Sequence, residues 1–110
     1  MFEFLLDAYV PYEDRAVAPK YQDENVTVST VAVSDGDHLY ETGICHRDYN
    51  NGKWIIVEGY DVRKRAVEGH RQWIKVMTTE PLPDSLTDCA NAEVSKLLGE
   101  MIYQRVKKKA

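Results

Sequence analysis

Residues 42–77, TGICHRDYNNGKWIIVEGYDVRKRAVEGHRQWIKVM, contain the signals that decide the fold. Asn51 and Gly52 stand between two runs of apolar, β-favouring residues, and this dipeptide tolerates the positive φ angles that a two-residue type I′ turn requires. After Tyr60 the spacing of the apolar residues changes from about two to about 3.6 residues, which is typical of a helix. The stretch therefore predicts a β-hairpin that leads directly into a helix.

A further strand is predicted before this stretch. Residues 26–34 are almost entirely Val, Thr, Ser and Ala, which favour strands. The alternation slips halfway along, because one face carries Val26 and Val28 while the other carries Val31 and Val33. Two explanations stay open: both faces of the strand are covered, or a bulge near Ser29 and Thr30 turns the second half of the strand over.

The economical arrangement of these strands is an antiparallel meander. Residues 26–34 pair with residues 39–46, and these pair in turn with residues 53–60 through the turn at Asn51 and Gly52. A two-residue turn at this position places Ile44 opposite Gly59.

A helix over residues 61–78 follows, with Asp61 as its expected N-cap. Gly69 lies in its middle and costs about 1 kcal/mol against alanine, so we expect it to permit a close approach to a strand. The apolar residues recur at spacings of three and four and form a stripe that would lie on the sheet. The stripe consists of Val62, Ala66, His70, Trp73, Ile74 and Met77.

A second helix is predicted over residues 85–108. Ser85 and Asp88 have the spacing of a capping box, with Asp in place of the usual Glu, and two prolines precede them. Basic residues at the end of the segment would complement the helix dipole. The apolar stripe of this helix would consist of Ala90, Val94, Leu97, Leu98, Met101, Ile102 and Val106.

The predicted architecture is one α+β domain over residues 1–110, an antiparallel three- to four-stranded meander with two helices packed on one face. Its segments are an N-terminal strand or arm over 1–25, the meander over 26–60, and the helices over 61–78 and 85–108. Within the first segment, residues 2–10 are the candidate fourth strand.

Composition and charge narrow the class of protein. The chain is 44% hydrophobic and 29% charged, and no apolar run reaches the roughly 20 residues of a membrane-spanning helix. We therefore expect a protein without a membrane role, in the cytoplasm of a host cell or in a virion. The net charge of −4 is divided between −8 in the first 61 residues and +4 in the rest. Arg63–Arg65 with Trp54 and Tyr60 could form a nucleic-acid surface, but the acidic balance of the whole chain argues against this partner.

The residues capable of catalysis or metal binding form no recognisable motif. No pair of Cys or His residues has metal-ligand spacing, and Cys45 with His70 lacks the signature of a nucleophile and its base. Glu41 and Glu58 are more typical of exposed strand positions than of an acid–base pair. His70 on the apolar stripe indicates a core histidine satisfied by a hydrogen bond. We therefore predict no catalytic residue, no metal site and no cofactor. Cys45 and Cys89 are expected to be reduced and packed as small hydrophobes, and a single disulfide between them stays open as the alternative.

Aromatic and acidic residues indicate a protein-binding surface instead, although tyrosines with half-exposed structural rings explain much of the same pattern. Tyrosine and tryptophan are enriched where proteins meet. The candidate binding residues are Tyr9, Tyr12, Glu13, Asp14, Tyr21, Tyr40, Tyr49 and Trp54.

The hairpin and first helix resemble small uncharacterised proteins of tailed bacteriophages and prophages. The resemblance covers residues 28–77 and rests on the triplet Tyr40-Glu41-Thr42, on a strand that ends at Tyr60, and on the helix pattern Ala66-x-x-Gly69-His70. This chain departs from the pattern after the triplet, where Gly43 replaces a usual Met and residues 45–49 replace a glycine-rich segment. The resemblance implies a phage origin and brings no agreed activity with it.

The expected function is that of a non-catalytic phage-type protein that binds protein. It would be a structural or accessory part of a virion, or a module that assembles with copies of itself. The alternative is a soluble phage-encoded modulator that binds a host enzyme or defence protein, with acidic residues imitating nucleic acid.

Overall fold

A computed structural model describes residues 15–33, 38–89 and 101–106 of the chain. The described residues form an α+β fold with a four-stranded antiparallel sheet, a second sheet of two strands and one helix. The elements are β1 (Tyr21–Gln22), β2 (Val26–Ala32), β3 (Tyr40–His46), β4 (Ile55–Tyr60), α1 (Arg63–Thr78), β5 (Ser85–Asp88) and β6 (Met101–Gln104).

The four-stranded sheet is the predicted meander, because its strands lie in the order β1-β2-β3-β4. Strand β2 pairs with β3 without a register shift, and Thr30 lies opposite Thr42. Thr30 is fully buried, so it continues the inner row of Val26 and Val28. The slipped alternation of β2 is thus explained by a strand with both faces partly covered. The bulge lies elsewhere, between β3 and β4 beside Thr42 and Gly43.

The loop that connects β3 to β4 is longer than the predicted two-residue turn. Three consecutive residues have positive φ, Asn50 at 50°, Asn51 at 54° and Gly52 at 79°. Two overlapping turns result, in which Gly52 N donates to Tyr49 O at 3.1 Å and Lys53 N donates to Asn50 O at 3.0 Å. The left-handed conformation expected of Asn51 and Gly52 is therefore confirmed.

The predicted register of this hairpin is wrong, since Ile44 lies opposite Ile55 rather than Gly59. The reason is Tyr49, which is fully buried and takes the chain into the core before the turn. The connection between the strands is consequently several residues longer than a two-residue turn.

Helix α1 begins at Arg63 and carries the predicted inward stripe. Ala66, Gly69, His70 and Met77 are buried. The first residue of the stripe differs from expectation: Val62 is 55% exposed and precedes the helix as its N-cap residue without a side-chain cap. Asp61 is not the N-cap, because its carboxylate instead lies 3.2 Å from Nδ1 of His38.

The core lies between α1 and the inner face of the sheet and extends to β5. Its largest cluster joins all of these elements through residues that are at most 3% exposed. The cluster consists of Val26, Val28, Ile44, Tyr49, Ile55, Met77 and Leu86.

The predicted second helix is wrong. Residues at both of its ends form the antiparallel pair β5 and β6, in which Leu86 lies opposite Tyr103. Leu86 is 2% exposed and Tyr103 packs against the core. The two-stranded pairing therefore buries Leu86 and Tyr103, neither of which lies on the apolar stripe of the predicted helix. Met101 and Ile102, assigned to that stripe, are about half exposed. Ala90, Val94, Leu97 and Leu98 lie outside the described residues.

The predicted N-terminal arm is described only from Arg15 onwards. The candidate fourth strand over residues 2–10 lies outside the described residues. The fourth strand of the described sheet is β1, which pairs Tyr21 with Val28. An isolated antiparallel bridge joins Ala16 to Val31 on the same edge of β2. Among the described residues, no helix has both the length and the apolar character needed to cross a membrane.

Candidate functional site

The sheet has an outer face that α1 does not cover. Residues paired across antiparallel strands share a face, so Val28, Ile44 and Ile55 point toward the helix and their neighbours point away. The side chains on this far side surround a shallow cavity of about 170 Å³. We define this outer surface by the residues that line the cavity, namely Arg15, Ser29, Val31, Glu41, Gly43, Trp54 and Ile56.

Trp54 is the dominant side chain of the outer surface. Its ring lies against Gly43, since a Cβ built at that position would be 3.2 Å from Cε3 of Trp54 and 3.4 Å from Cδ1 of Ile56. The absence of a side chain at Gly43 therefore leaves room for the indole ring against this strand. Even so, Trp54 remains 51% exposed.

Arg15 forms another wall of the same cavity. Its Nε is buried and has no hydrogen-bond partner in the described part of the chain. A buried donor without a partner is costly, because the group has lost its water and gained no acceptor in exchange. The outer surface thus combines a half-exposed indole, an apolar floor and an unsatisfied guanidinium donor.

The other residues predicted to bind protein lie in different places. Tyr9, Tyr12, Glu13 and Asp14 are outside the described residues. Tyr21 is half-buried in β1, and its hydroxyl donates to Oδ2 of Asp23 at 2.8 Å. Tyr40 is half-buried and packs on the small cluster of Val17, Tyr60 and Ala66. Tyr49 is fully buried and so is not part of a surface.

A chain of hydrogen bonds crosses the inner face of the sheet to α1. His70 Nε2 lies 2.9 Å from the carbonyl oxygen of Pro19, and His70 Nδ1 lies 2.8 Å from Oγ1 of Thr30. Oγ1 of Thr30 is 2.6 Å from Oγ1 of Thr42. His70 is only 2% exposed, which confirms the prediction of a core histidine held by hydrogen bonds.

The chain of hydrogen bonds continues to strand β4 at the edge of the sheet. Oγ1 of Thr42 is 3.0 Å from the hydroxyl of Tyr60, and that hydroxyl is 2.9 Å from Oε1 of Glu58. Nε1 of Trp73 on α1 donates to the same carboxylate oxygen at 2.9 Å. Burial raises the pKa of Tyr60, so its hydroxyl stays protonated. The three buried hydroxyl groups of this hydrogen-bond chain, those of Thr30, Thr42 and Tyr60, are consequently all uncharged.

Replacing Thr30 with valine tests how much this chain stabilises the fold. The change keeps the shape of a buried strand residue but leaves Thr42 and His70 each without one partner, so we expect Thr30→Val to lower the free energy of unfolding by about 1–3 kcal/mol. Urea denaturation measures the difference. Thr27→Val on the half-buried side of the same strand is the control and should change stability by no more than about 0.5 kcal/mol. Equal effects at the two positions would show that the chain contributes little.

The structure does not assemble the catalytic pairs considered from the sequence. Cys45 Sγ donates to the carbonyl oxygen of Gly52 at 2.8 Å, whereas His70 bonds to Thr30 and Pro19. Glu41 lies opposite Gly59, and Glu58 lies opposite Thr42, so the two carboxylates point to different faces. Within the described ranges, no three His, Cys, Asp or Glu residues are grouped to hold a metal ion, and both cysteines are free.

The aromatic and basic residues considered for nucleic acid also fail to converge. Tyr60 is 7% exposed and belongs to the inner hydrogen-bond chain, while Trp54 lies on the far side of the sheet from α1 and its arginines. Arg15 was not predicted as part of this surface, because its place beside the cavity and the burial of its Nε atom depend on tertiary packing. Sequence reasoning also missed Thr30 and Thr42, although both occupy inward positions of strands where an apolar residue is expected.

Comparisons with protein-family models, with curated proteins and with solved structures find no match for this chain.

Proposed function

We propose that this chain is a non-catalytic protein-binding module of the phage type that residues 28–77 resemble. Its function would be to form part of a virion or of an assembly of its own copies, with the outer surface as the contact. The observation that carries the proposal is Trp54, which remains 51% exposed over the apolar floor formed by Gly43 and Ile56.

The composition of the outer surface supports a protein partner. Trp and Arg are the residue types most often responsible for the binding energy of protein interfaces, and here one of each borders the same cavity. Arg15 lines this cavity as well, and its buried Nε has no hydrogen-bond partner in the described part of the chain. A water-filled catalytic pocket would need converging polar groups, whereas this cavity is lined mainly by carbon.

The alternative function is a soluble modulator that binds a host protein. The acidic balance of the first 61 residues supports it, because a negative surface attracts proteins that bind nucleic acid. In that case binding should weaken as salt is added, since salt screens exposed charges over about 10 Å. An interface centred on Trp54 should instead depend little on salt.

Light scattering coupled to size exclusion, repeated over a range of protein concentrations, tests self-assembly directly. We expect the mass to rise with concentration above that of the 12.6 kDa chain. Trp54→Ala should raise the dissociation constant at least about 30-fold, because truncating a central interface aromatic costs about 2 kcal/mol or more.

Val62→Ala is the matched control for this experiment. Val62 is 55% exposed and lies at the opposite end of β4, so its truncation should leave assembly unchanged. Equal weakening by both substitutions would contradict a contact at the outer surface. A wild-type chain that remains monomeric at every concentration would contradict self-assembly, and the salt-dependent capture of a single host protein would then support the alternative.

A further inference from the structure

A larger cleft lies at the end of the sheet where β2 begins and β3 ends. Its volume is about 680 Å³, which is within the range of small-molecule sites. The β1–β2 turn and the residues after β3 form one side, the end of α1 and the segment after it form another, and Arg105 and Val106 close the third. None of these residues belongs to the outer surface, so the cleft is a separate feature of the molecule.

His46 is the buried polar side chain of this cleft. The residue is only 5% exposed, and the edge-on ring of Tyr49 lies 5.3 Å from it, measured between ring centroids. The backbone N–H of Asp48 donates to Nδ1 of His46 at 3.0 Å. A neutral imidazole that accepts at Nδ1 carries its proton on Nε2, so the backbone fixes the tautomer.

Nε2 of His46 is therefore a hydrogen-bond donor. Among the described residues it has no partner, and His46 lines the cleft. Burial lowers the pKa of His46; the carboxylate of Asp48 opposes this shift, and the positive charges of Arg105 and Arg47 reinforce it. The ring is thus neutral near pH 7. Its Nε2–H can donate to an oxygen, but it cannot coordinate a metal ion without first losing that proton.

Two of the three carboxylates that line the cleft, those of Asp23 and Asp48, already have partners; the third belongs to Glu80. Oδ1 of Asp23 accepts from the backbone N–H groups of Asn25 and Val26 at 2.7 and 2.9 Å, and Oδ2 accepts from the Tyr21 hydroxyl. Oδ2 of Asp48 lies 3.5 Å from Nε of Arg105, and both side chains are at most about a quarter exposed. The two carboxylates therefore stabilise the walls of the cleft and leave little acceptor capacity for a ligand.

Donors, in contrast, remain available. Arg105 uses Nε for Asp48, and its terminal guanidinium nitrogens make no hydrogen bond within the described part of the chain. Together with Nε2–H of His46, they provide a positively charged, partly buried donor set. Such a set matches an oxyanion, because charge-assisted bonds from Arg to carboxylate or phosphate are short and strong. Met77 and Leu82 supply apolar area beside it.

We propose that this cleft binds a small molecule through an oxyanion group, a carboxylate or a phosphate, held by Nε2–H of His46 and the guanidinium of Arg105. The apolar body of the ligand would pack on Met77 and Leu82. This inference is independent of the protein-binding function, since it shares no residue with the outer surface.

NMR of the full chain at neutral pH tests the proposal with two probes, inorganic phosphate and succinate, each added at constant ionic strength with sodium chloride as the reference. The ring nitrogens of the three histidines are followed by long-range ¹H–¹⁵N correlation. We expect at least one probe to shift the Nε2 and Hε2 resonances of His46 in a saturable way, with a dissociation constant on the order of 1 mM. Whichever probe binds more tightly identifies the anion as phosphate or carboxylate.

Substitutions distinguish binding from a general salt effect. Arg105→Gln should weaken binding at least about tenfold, because it removes a charge-assisted bond. His46→Phe lacks the reporter ring, so its binding is followed by the backbone amide resonances of Asp48 and Arg105, and we expect none. His38→Gln, at an exposed position outside the cleft, should leave binding unchanged. If His46→Phe fails to fold, the comparison of Arg105→Gln with the wild-type titration still shows whether the cleft binds the anion. Shifts that do not saturate, that chloride reproduces, or that persist in Arg105→Gln would overturn the proposal.

Discussion

Gly69→Ala is expected to lower the free energy of unfolding by about 2–4 kcal/mol, although alanine favours a helix by about 1 kcal/mol over glycine. The reason is steric. A Cβ at position 69 would lie 2.1 Å from the hydroxyl oxygen of Tyr60 and 2.4 Å from its Cζ. Tyr60 is buried and bonded to Thr42 and Glu58, so its ring can move only by breaking these bonds.

Urea denaturation of a double-mutant cycle measures this effect and its cause. Tyr60→Leu removes the ring that the new methyl group would meet, so Gly69→Ala should cost less in the Tyr60→Leu chain than in the wild type. Glu68→Ala, at the exposed neighbouring position of α1, is the control for helix propensity and should not destabilise. A wild-type-like stability of Gly69→Ala would mean that helix and strand are not in the close contact described.

Tyr49→Ala should produce a loss of about 3–5 kcal/mol, the range for truncating a fully buried aromatic residue. Tyr49 is 0% exposed and belongs to the main core cluster. Its hydroxyl also donates to the carbonyl oxygen of Pro83, which joins the β3–β4 loop to the segment that precedes β5. The substitution therefore removes both core packing and the bond between two loops.

Tyr49→Phe separates these two contributions. It keeps the ring and removes only the hydroxyl, so we expect a smaller loss of about 1–2 kcal/mol in the same urea denaturation experiment. Lys53→Ala is a control at an exposed position of the same loop, where we expect a change within about 0.5 kcal/mol. A loss at Tyr49→Ala no greater than that of Tyr49→Phe would contradict the burial of the ring.

The sequence pattern predicts the meander and α1 because both follow from local periodicity. The stripe through Ala66, His70 and Met77 is imposed by one buried face, and the β-favouring composition of β2 indicates a strand even though its alternation slips. The register of the β3–β4 hairpin could not be predicted in this way, because it depends on Tyr49 leaving the strand to enter the core. The same limit applies to Leu86, whose place in β5 is decided by pairing with β6 rather than by its neighbours.

The outer surface is predicted only in part. Trp54 can be recognised as an aromatic residue beside a hairpin turn, but its position over Gly43 depends on the bulge between β3 and β4. His46 is a donor in the cleft because the backbone N–H of Asp48 donates to its Nδ1, which leaves the ring proton on Nε2. No pattern of residue types reports such a contact, so the cleft was not part of the prediction.

The hydrogen-bond chain on the inner face has a further consequence when its protons are counted. Its ends, the carbonyl of Pro19 and the ionised form of Glu58, can only accept, and five contacts lie between them. A neutral His70 and the hydroxyls of Thr30, Thr42 and Tyr60 together contribute four protons to these contacts. Four protons cannot fill five bonds that run between two acceptors. One of the five contacts therefore holds two facing lone pairs. The position of this unfilled contact decides which way every other hydroxyl points, so helix and sheet are joined by one collective arrangement of protons rather than by separate bonds.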